Sequence, residues 1–154
     1  MTELERAWAA GFWDGEGCVS LSYRGKYQYP RSVLQVAQVH REPLERFQAA
    51  IGFGNILGPY PARGPKSQDY YIWRVEGNTH LQAFKSIVYP YLCSIKKKQI
   101  DKCLEAREKF ETTATCPVHT DTKLIPGGKG YRCFECQSMQ AKARNHARWH
   151  GKAR

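Results

Sequence analysis

The stretch "WAAGFWDGEGCVSL", residues 8–21, decides how the rest of the chain is interpreted. An apolar segment with helical spacing runs into two acidic residues, Asp14 and Glu16, which are set among glycines. The next segment, "CVSLSYR", alternates apolar and polar residues, as a half-buried strand requires. The stretch therefore predicts a helix that runs directly into a strand, with two carboxylates near the junction.

Small residues recur every four positions along this helix, at Ala7, Gly11 and Gly15. Residues four apart lie on one helical face, so these three form a stripe along which a second helix can pack closely. If that helix belongs to a second copy of the chain, a two-fold axis places the two Glu16 carboxylates near each other. Two such carboxylates beside a basic surface form a divalent-metal site of the kind used for phosphodiester hydrolysis.

Apolar periodicity and turn residues predict an α-β-β-α-β-β-α-α order for the first domain, residues 1–112. The second helix has Pro43 in its first turn and Gly52 at its end, and the third opens at Asn78 as its N-cap. We expect an α+β fold with a four-stranded, mostly antiparallel sheet that carries helices on one face and polar, basic residues on the other. In the first helix, Leu4, Ala7 or Trp8, Gly11 and Phe12 fall on one stripe.

The net charge of +10 at pH 7 indicates a polyanionic partner. Residues 116–154 carry eight Lys and Arg against two Asp and Glu, so the tail is the more basic part. Nucleic acid is favoured over an anionic membrane, because no segment pairs a basic face with a continuous apolar one. With no run of about 18 apolar residues and an acidic N-terminus, we expect an intracellular, soluble protein of a bacterial or phage-infected cytoplasm or an organelle.

A second domain, residues 113–154, contains two pairs of metal-binding side chains in "CPVH" and "CFEC". Two ligands spaced by two residues can bind one metal from a single tight turn, and Cys3His is a common tetrahedral zinc set. His146 or His150 remain alternatives for the histidine. In a reducing compartment such cysteines hold metal more often than they form disulfides. We therefore predict a structural Zn2+ bound by Cys116, His119, Cys133 and Cys136.

The segment after the last ligand, "QSMQAKARNHARWHGKAR", has five Lys and Arg and no acidic residue. It is predicted to form a basic helix that contacts phosphates, with Lys142, Arg144 and Arg148 among the contacts. Three other cysteines lack paired spacing and are expected to be buried thiols: Cys18, Cys93 and Cys103.

The segment "AAGFWDGEG" resembles the signature of the LAGLIDADG homing endonucleases, and the element order that follows is also theirs. The resemblance covers residues 4–110 and includes "QVAQ" in the second strand and a lysine-rich "IKKKQ" after the third helix. One copy of the motif in a short chain is typical of the homodimeric members. The chain differs from the commonest signature in having a glutamate as the last acid and Trp13 where a small aliphatic residue is usual. The "GYRCFEC" pattern resembles zinc modules attached to phage and mobile-element nucleases.

The resemblance implies a site-specific, Mg2+-dependent endonuclease that cuts a long, near-palindromic double-stranded DNA target as a homodimer, as intron-encoded nucleases do. Glu16 would then be the metal-binding carboxylate, with the Gly15 carbonyl as a further ligand. Gln38 would position water, although strand alternation places it on the core parity. Lys96 would stabilise charge at the scissile phosphate, with Lys97 and Lys98 as open alternatives. The dimer interface would comprise Ala7, Gly11, Asp14 and Gly15, with Asp14 capping helix ends.

The polar face of the predicted sheet is expected to contact DNA, because alternate strand positions there supply hydrogen-bonding and basic side chains. Two other interpretations remain open: an intron maturase that binds RNA, and a zinc-dependent regulator that binds DNA without cutting it. The predicted contacts are Ser20, Ser22, Arg24, Lys26, Arg31, Gln35, Asn55, Arg63, Lys66 and Arg74.

Overall fold

A computed structural model describes residues 2–62, 64, 67–127 and 130–150, with the side chains of Trp149 and His150 excepted. Its α-helices are α1 (Glu3–Glu16), α2 (Arg41–Ile51), α3 (Asn78–Val88), α4 (Ser94–Thr113) and α5 (Phe134–His150). Its strands are β1 (Gly17–Arg24), β2 (Tyr29–Gln38), β3 (Asn55–Tyr60), β4 (Tyr70–Glu76), β5 (Ile125–Gly127) and β6 (Gly130–Arg132). A short 3-10 helix, Tyr89–Tyr91, follows α3.

The strands β1 to β4 form one sheet in the order β1-β2-β4-β3, and β5 and β6 form a separate antiparallel pair. The partners of β4 on both sides run antiparallel to it. The predicted α+β fold, with a four-stranded antiparallel sheet and the α-β-β-α-β-β-α-α order, is confirmed.

The core on the helical side of the sheet is centred on four buried aromatic rings, and their centroids lie 4.6 to 6.5 Å apart. The rings come from α1, α2, β4 and α3, so one cluster ties three helices to the sheet. Burying each such side chain contributes about 1.5–3 kcal/mol relative to leaving it exposed. The four residues are Trp13, Phe47, Trp73 and Phe84.

A glycine is required where α1 passes into β1. A Cβ built on Gly17 would lie 2.2 Å from the Trp13 ring, so no other residue fits without displacing that ring. The buried tryptophan and the glycine together fix the point at which the helix ends.

The stripe of Leu4, Ala7 or Trp8, Gly11 and Phe12 on α1 is not buried as a whole. Leu4 is 77% exposed and Gly11 is also exposed, whereas Ala9, Ala10 and Trp13 are buried. Apolar and small residues occur on several faces of α1, so the helical period alone did not determine which of them meets the sheet.

Two smaller expectations were wrong. The N-cap of α3 is Gly77, with φ of 111°, and Asn78 is the first helical residue. Cys18 and Cys93 are exposed, because one lies on the outward parity of β1 and the other precedes α4. Cys103 is buried as expected, and this burial raises the pKa of its thiol.

The chain divides into two compact units. The first unit comprises Met1–Ser22 and Arg31–Ala106 and contains the aromatic core. The second, here called the C-terminal unit, comprises Tyr23–Pro30 and Arg107–Arg154. It therefore combines the turn between β1 and β2 with the end of α4 and the Cys/His segment. The predicted boundary between residues 112 and 113 stays a prediction. None of the described helices is long and apolar enough to cross a membrane.

Candidate functional site

Glu16 is the last residue of α1, and its side chain is exposed. The backbone becomes extended at Gly17, whose N–H donates to the carbonyl of Trp13 and ends the helix. The C-terminal end of a helix carries partial negative charge from its last carbonyls. The local sequence thus places an exposed carboxylate where a helix end already favours a cation.

One lysine of the run at residues 96–98 reaches this helix end. The Nζ of Lys96 donates a hydrogen bond of 2.5 Å to the carbonyl oxygen of Gly17, the residue after Glu16. Lys97 donates instead to the carbonyl of Pro90 at 3.4 Å, and Lys98 is exposed. Position in the structure therefore distinguishes Lys96 among the three candidates, while its catalytic role stays a prediction.

Asp14 has a hydrogen bond within the chain. Its Oδ2 accepts a hydrogen bond of 2.9 Å from the backbone N–H of Cys93, immediately before α4 begins. A carboxylate at this place satisfies an otherwise unpaired donor and favours the positive end of the α4 dipole. Asp14 thus acts as a helix cap, in this case of α4 in its own chain.

Gln38 is the last residue of β2 and pairs with Tyr71 of β4. It lies on the strand parity of the buried residues Leu34 and Val36 and is itself half-buried. Its position at the end of the strand leaves the amide partly accessible, and its assignment to water positioning stays a prediction.

The donor set at the end of α1 agrees in type with a hard cation, because Mg2+ prefers carboxylate and carbonyl oxygens. A single chain nevertheless supplies only part of such a set. Among the described residues, the Cys/His segment is the only group of three or more side chains placed to hold one metal ion. Among the described residues, Glu16 is therefore not part of a group of three or more such side chains.

The small-residue stripe of α1 lies open. Gly11 and Gly15 are exposed, and an ideal Cβ built on either would meet no atom within 4 Å outside the helix's own backbone. Ala7 is half-buried, and the exposed Leu4 extends the same spacing toward the N-terminus. The stripe has the shape that a second helix could occupy.

The outward face of the sheet brings several predicted DNA contacts into one row. Arg74 of β4 is paired with Gln35 of β2 on one side and with Asn55 of β3 on the other. Arg31 and Arg74 both pair with Glu76, at 3.4 and 2.8 Å. The row therefore presents two amides around a guanidinium group held by a carboxylate.

The remaining predicted contacts lie in different places. Ser20 and Ser22 occupy the outward parity of β1, and Arg24 and Lys26 are exposed near the turn that follows. Arg63 and Lys66 lie outside the described residues. The predicted contacts on α5 are all exposed, namely Lys142, Arg144 and Arg148.

The four predicted zinc ligands lie together, with their ligand atoms all within 4.8 Å of one another. The Nδ1 of His119 is 3.8, 3.5 and 3.4 Å from the Sγ atoms of Cys116, Cys133 and Cys136. The first and last of these sulfurs are 3.6 Å apart. A tetrahedral zinc with the usual bond lengths has S–S edges of about 3.8 Å and S–N edges of about 3.6 Å. The four side chains therefore fit one zinc ion.

The electrostatics of this cluster also suit a metal. Burial raises the pKa of Cys116, but hydrogen bonds from the backbone N–H groups of His119 and Val118 outweigh it and hold that pKa at about 6. A thiolate is the form that binds zinc. His119, rather than the alternative His146 on α5, belongs to the ligand group, and the side chain of His150 lies outside the described residues.

Solved structures with the same arrangement of elements are homing endonucleases. I-CvuI, crystallised with the I-CreI target and 2 mM Mg, is 27% identical over 72% of this chain and 70% of its own, with a TM-score of 0.56. The archaeal I-Vdi141I bound to DNA is 21% identical over 67% and 66%, with a TM-score of 0.54. I-TnaI is 21% identical over 72% and 76%, also at 0.54. No protein-family model and no curated protein sequence matches the chain.

The chain has the LAGLIDADG homing endonuclease fold. This confirms the fold that the motif and the element order imply. The likeness does not confirm the zinc module, which rests on the geometry of its own side chains.

Glu135 is a residue near the zinc cluster that the sequence analysis missed. Its Oε2 lies 3.5 Å from the Nε2 of His119, and its Oε1 accepts a 2.6 Å hydrogen bond from Thr122. A carboxylate facing the second nitrogen of a metal-binding histidine fixes the tautomer and orients the ring. The position of Glu135 between the two cysteines of "CFEC" was the available sequence signal for this role.

Glu76 was missed on the sheet face of this LAGLIDADG fold. The alternation of β4 places it on the outward parity of Arg74, so its position was available from the sequence. Its contacts with Arg31 and Arg74 hold two predicted DNA-binding guanidinium groups in place and offset part of their charge.

Proposed function

We propose that the protein is a site-specific DNA endonuclease, dependent on a divalent metal, that acts as a homodimer on a long, near-palindromic duplex. The observation that carries the proposal is the exposed Glu16 at the end of α1, with the Lys96 ammonium bonded to the next residue's carbonyl. This arrangement occurs in a fold shared with homing endonucleases that were crystallised on DNA.

Glu16, its counterpart in a second copy and the Gly15 carbonyls would hold Mg2+ at the dyad. Such an ion, when bound, supplies Lewis-acid stabilisation and a more acidic water molecule. The open stripe of Ala7, Gly11 and Gly15 would bring the two copies together. Among the described residues Glu16 is not joined by two further ligand side chains, which supports completion of the site by a second copy.

The other residues at the site would act on the phosphate and the water. The hydrogen bond to Gly17 holds the Lys96 ammonium at the residue that follows Glu16, where its charge would stabilise negative charge developing on the phosphate. Gln38 would orient the attacking water through its amide. Gln38 is the last residue of β2, and Lys96 lies in the first turn of α4.

Binding would use two basic surfaces. The row made by Gln35, Arg74 and Asn55 on the sheet would read base edges in the major groove. The basic helix α5, attached to a structural zinc site, would contact phosphates and add affinity that falls with salt.

The test is cleavage of a randomised duplex library with Mg2+, comparing the wild type with Glu16→Gln. We expect recurrent cuts at one target with the wild type and a loss of about 10²–10³-fold or more with the variant, because a transition-state contact is removed. Glu42→Gln is the matched control, since Glu42 is an exposed helical glutamate in the first turn of α2.

Retained binding by Glu16→Gln would show that the loss is chemical. If neither protein cuts while both bind duplex DNA tightly, the protein is a regulator. If both prefer structured RNA, it is a maturase. Equal cutting by both proteins would refute the role of Glu16.

A further inference from the structure

The turn between β1 and β2, residues Tyr23–Pro30, belongs to the same compact unit as the Cys/His segment. We call it the hairpin tip. Within the tip, Arg24 and Lys26 are exposed, whereas Tyr27 and Tyr29 are half-buried and Pro30 is buried. Two tyrosines of this tip therefore pack inside the C-terminal unit while its cations face solvent.

Tyr29 packs against the strand that leads to the second pair of zinc ligands. Its ring lies 5.6 Å from the ring of Tyr131 in β6, and Arg107 lies over both rings, at 5.8 and 4.8 Å. Arg107 also donates a 3.1 Å hydrogen bond to the carbonyl of Pro30. The tip is thus fixed to the end of α4 and to β6 by ring contacts and by a backbone hydrogen bond.

The network continues away from the tip. The hydroxyl of Tyr131 and the Nε of Arg107 both bond to the same oxygen of Glu111, each at 2.7 Å. Gly130 leaves room for Tyr29, since a Cβ there would lie 2.6 Å from the Tyr29 ring. The close approach shows that the contact is tightly packed rather than a loose surface association.

Tyr27 makes the second connection, directly to the zinc ligands. It packs against the buried cluster formed by Cys116, Leu124 and Cys133. Tyr27 is half-buried there, and Tyr131, the ring that Tyr29 contacts, packs against the same cluster. Both tyrosines of the tip therefore rest on the small core that contains the zinc ligands.

We propose that the zinc centre positions the hairpin tip, through Tyr27 at the ligand cluster and through Tyr29 at Tyr131, and thereby sets Arg24 and Lys26 for DNA. The assignment of these two cations to DNA rests on the proposed function, whereas the ordering of the tip does not. A module that closes on zinc orders a loop 80 or more residues earlier in the sequence, because the two share one small core. Tyr27 and Tyr29 are positioning residues in this arrangement.

Hydrogen exchange of the full-length protein, followed by mass spectrometry with zinc bound and after chelation, tests the ordering. We expect amide exchange across Tyr23–Pro30 to become about tenfold faster or more on chelation, since the tip loses the core it packs on. Residues 33–38 of β2 should exchange unchanged and serve as the reference. If chelation accelerates only residues 116–136 and leaves the tip protected, the proposal is wrong.

Variants distinguish the contribution of the Tyr29–Tyr131 ring contact from that of the zinc ion. Tyr131→Ala, confirmed to retain one zinc, should accelerate exchange at the tip several-fold. The matched control is Tyr70→Ala, which removes a ring pair of the same 5.6 Å separation, with Tyr60, in the first unit. If Tyr131→Ala fails to fold, Tyr29→Leu removes the same contact without touching the zinc segment. An unchanged tip in either folded variant would overturn the proposal.

The affinity of the protein for duplex DNA, measured with Ca2+ in place of Mg2+, tests whether the zinc centre positions Arg24 and Lys26 for DNA. Arg24→Ala with Lys26→Ala should weaken binding in the wild type and weaken it less in Tyr131→Ala, because a disordered tip no longer presents both cations. If the double substitution costs the same in both backgrounds, the zinc centre does not set these residues for DNA. If no DNA is bound at all, the proposed function fails, and the exchange data still decide whether zinc orders the tip.

Discussion

The end of α1 and the Cys/His cluster are two candidate metal sites built in opposite ways. In the cluster, four ligand atoms from one chain lie within 4.8 Å of one another at tetrahedral spacings. At the end of α1, Glu16 presents one exposed carboxylate, the Lys96 ammonium is bonded to the carbonyl of the next residue, and an open stripe of small residues runs along the helix. The first site brings four ligand side chains of one chain together, whereas Glu16 belongs to no such group among the described residues.

The two kinds of site produce different patterns in the sequence. A site completed locally appears as ligand pairs at fixed spacing, because each pair must bind from one tight turn. A site completed by assembly appears as an exposed functional group beside a surface shaped for a partner.

Removing one cysteine of the cluster should abolish zinc binding. Cys133→Ser is expected to reduce the metal content from about one zinc per chain to near zero and to unfold the Cys/His segment, since structural zinc contributes about 10 kcal/mol or more. Metal analysis and the helical circular-dichroism signal measure the two effects. Cys93→Ser is the control, because Cys93 is exposed and outside the ligand group.

A zinc content that survives Cys133→Ser would show that the cluster is not a self-contained site. Loss of zinc with an unchanged fold would instead show that the metal is not structural. Either result would mean that the Cys/His cluster is not a structural zinc site formed within one chain, so it could no longer be contrasted with a site formed by two copies.

The sequence predicted that Cys116, His119, Cys133 and Cys136 lie together, because all four lie within 21 residues and in two regular pairs. The glycines around Glu16 also marked the place where the first helix ends. It did not determine which lysine of residues 96–98 lies beside that end, because the contact of Lys96 with Gly17 joins residues 79 apart. Tertiary packing decides such contacts, and periodicity along one element does not contain them.

The same limit applies to the C-terminal unit. The alternation of β1 correctly placed Ser20 and Ser22 on the outward face, since a strand has a period of two. Nothing in that pattern connects Tyr27 to Cys116, because their contact depends on how a turn meets a distant segment. The predicted boundary between residues 112 and 113 likewise carried no information on Tyr23–Pro30.

Replacing the lysine beside Glu16 should slow chemistry without a matching loss of binding. Lys96→Met retains the apolar stem and removes the charge, so kcat is expected to fall about a hundredfold, as for loss of one preorganised charge or donor. Single-turnover cleavage of the selected target measures this. Lys98→Met removes the same charge from an exposed position and should change the rate only a few-fold, through reduced DNA affinity.

Equal losses in the two lysine variants would mean that the run acts as a basic patch and not through one positioned ammonium. A reduced cleavage rate in Lys98→Met alone would show that the catalytic lysine is not the one bonded to the Gly17 carbonyl. Only a selective effect of Lys96→Met agrees with a site in which one chain contributes the carboxylate and the ammonium together.

A substitution in the open stripe of α1 is expected to have the smallest effect. Its effect on self-association distinguishes a stripe that contacts a second copy from one that faces solvent. Gly11→Ala places a methyl group where nothing lies within 4 Å, and alanine favours a helix over glycine by about 1 kcal/mol. The monomer, measured at low concentration, should therefore gain about 0.5–1 kcal/mol in free energy of unfolding. If the stripe is the contact between two copies, the same methyl should weaken the dimer by about 1–3 kcal/mol, because it overpacks a close helix pair.

Analytical ultracentrifugation and denaturant unfolding of Gly11→Ala read the two effects separately. Gly17→Ala is the contrasting control, since its Cβ would meet the Trp13 ring and should destabilise the monomer. A more stable Gly11→Ala protein with unaltered self-association would show that the stripe faces solvent in the active form. The remaining ligands of an ion at Glu16 would then have to come from DNA and not from a second copy of the chain.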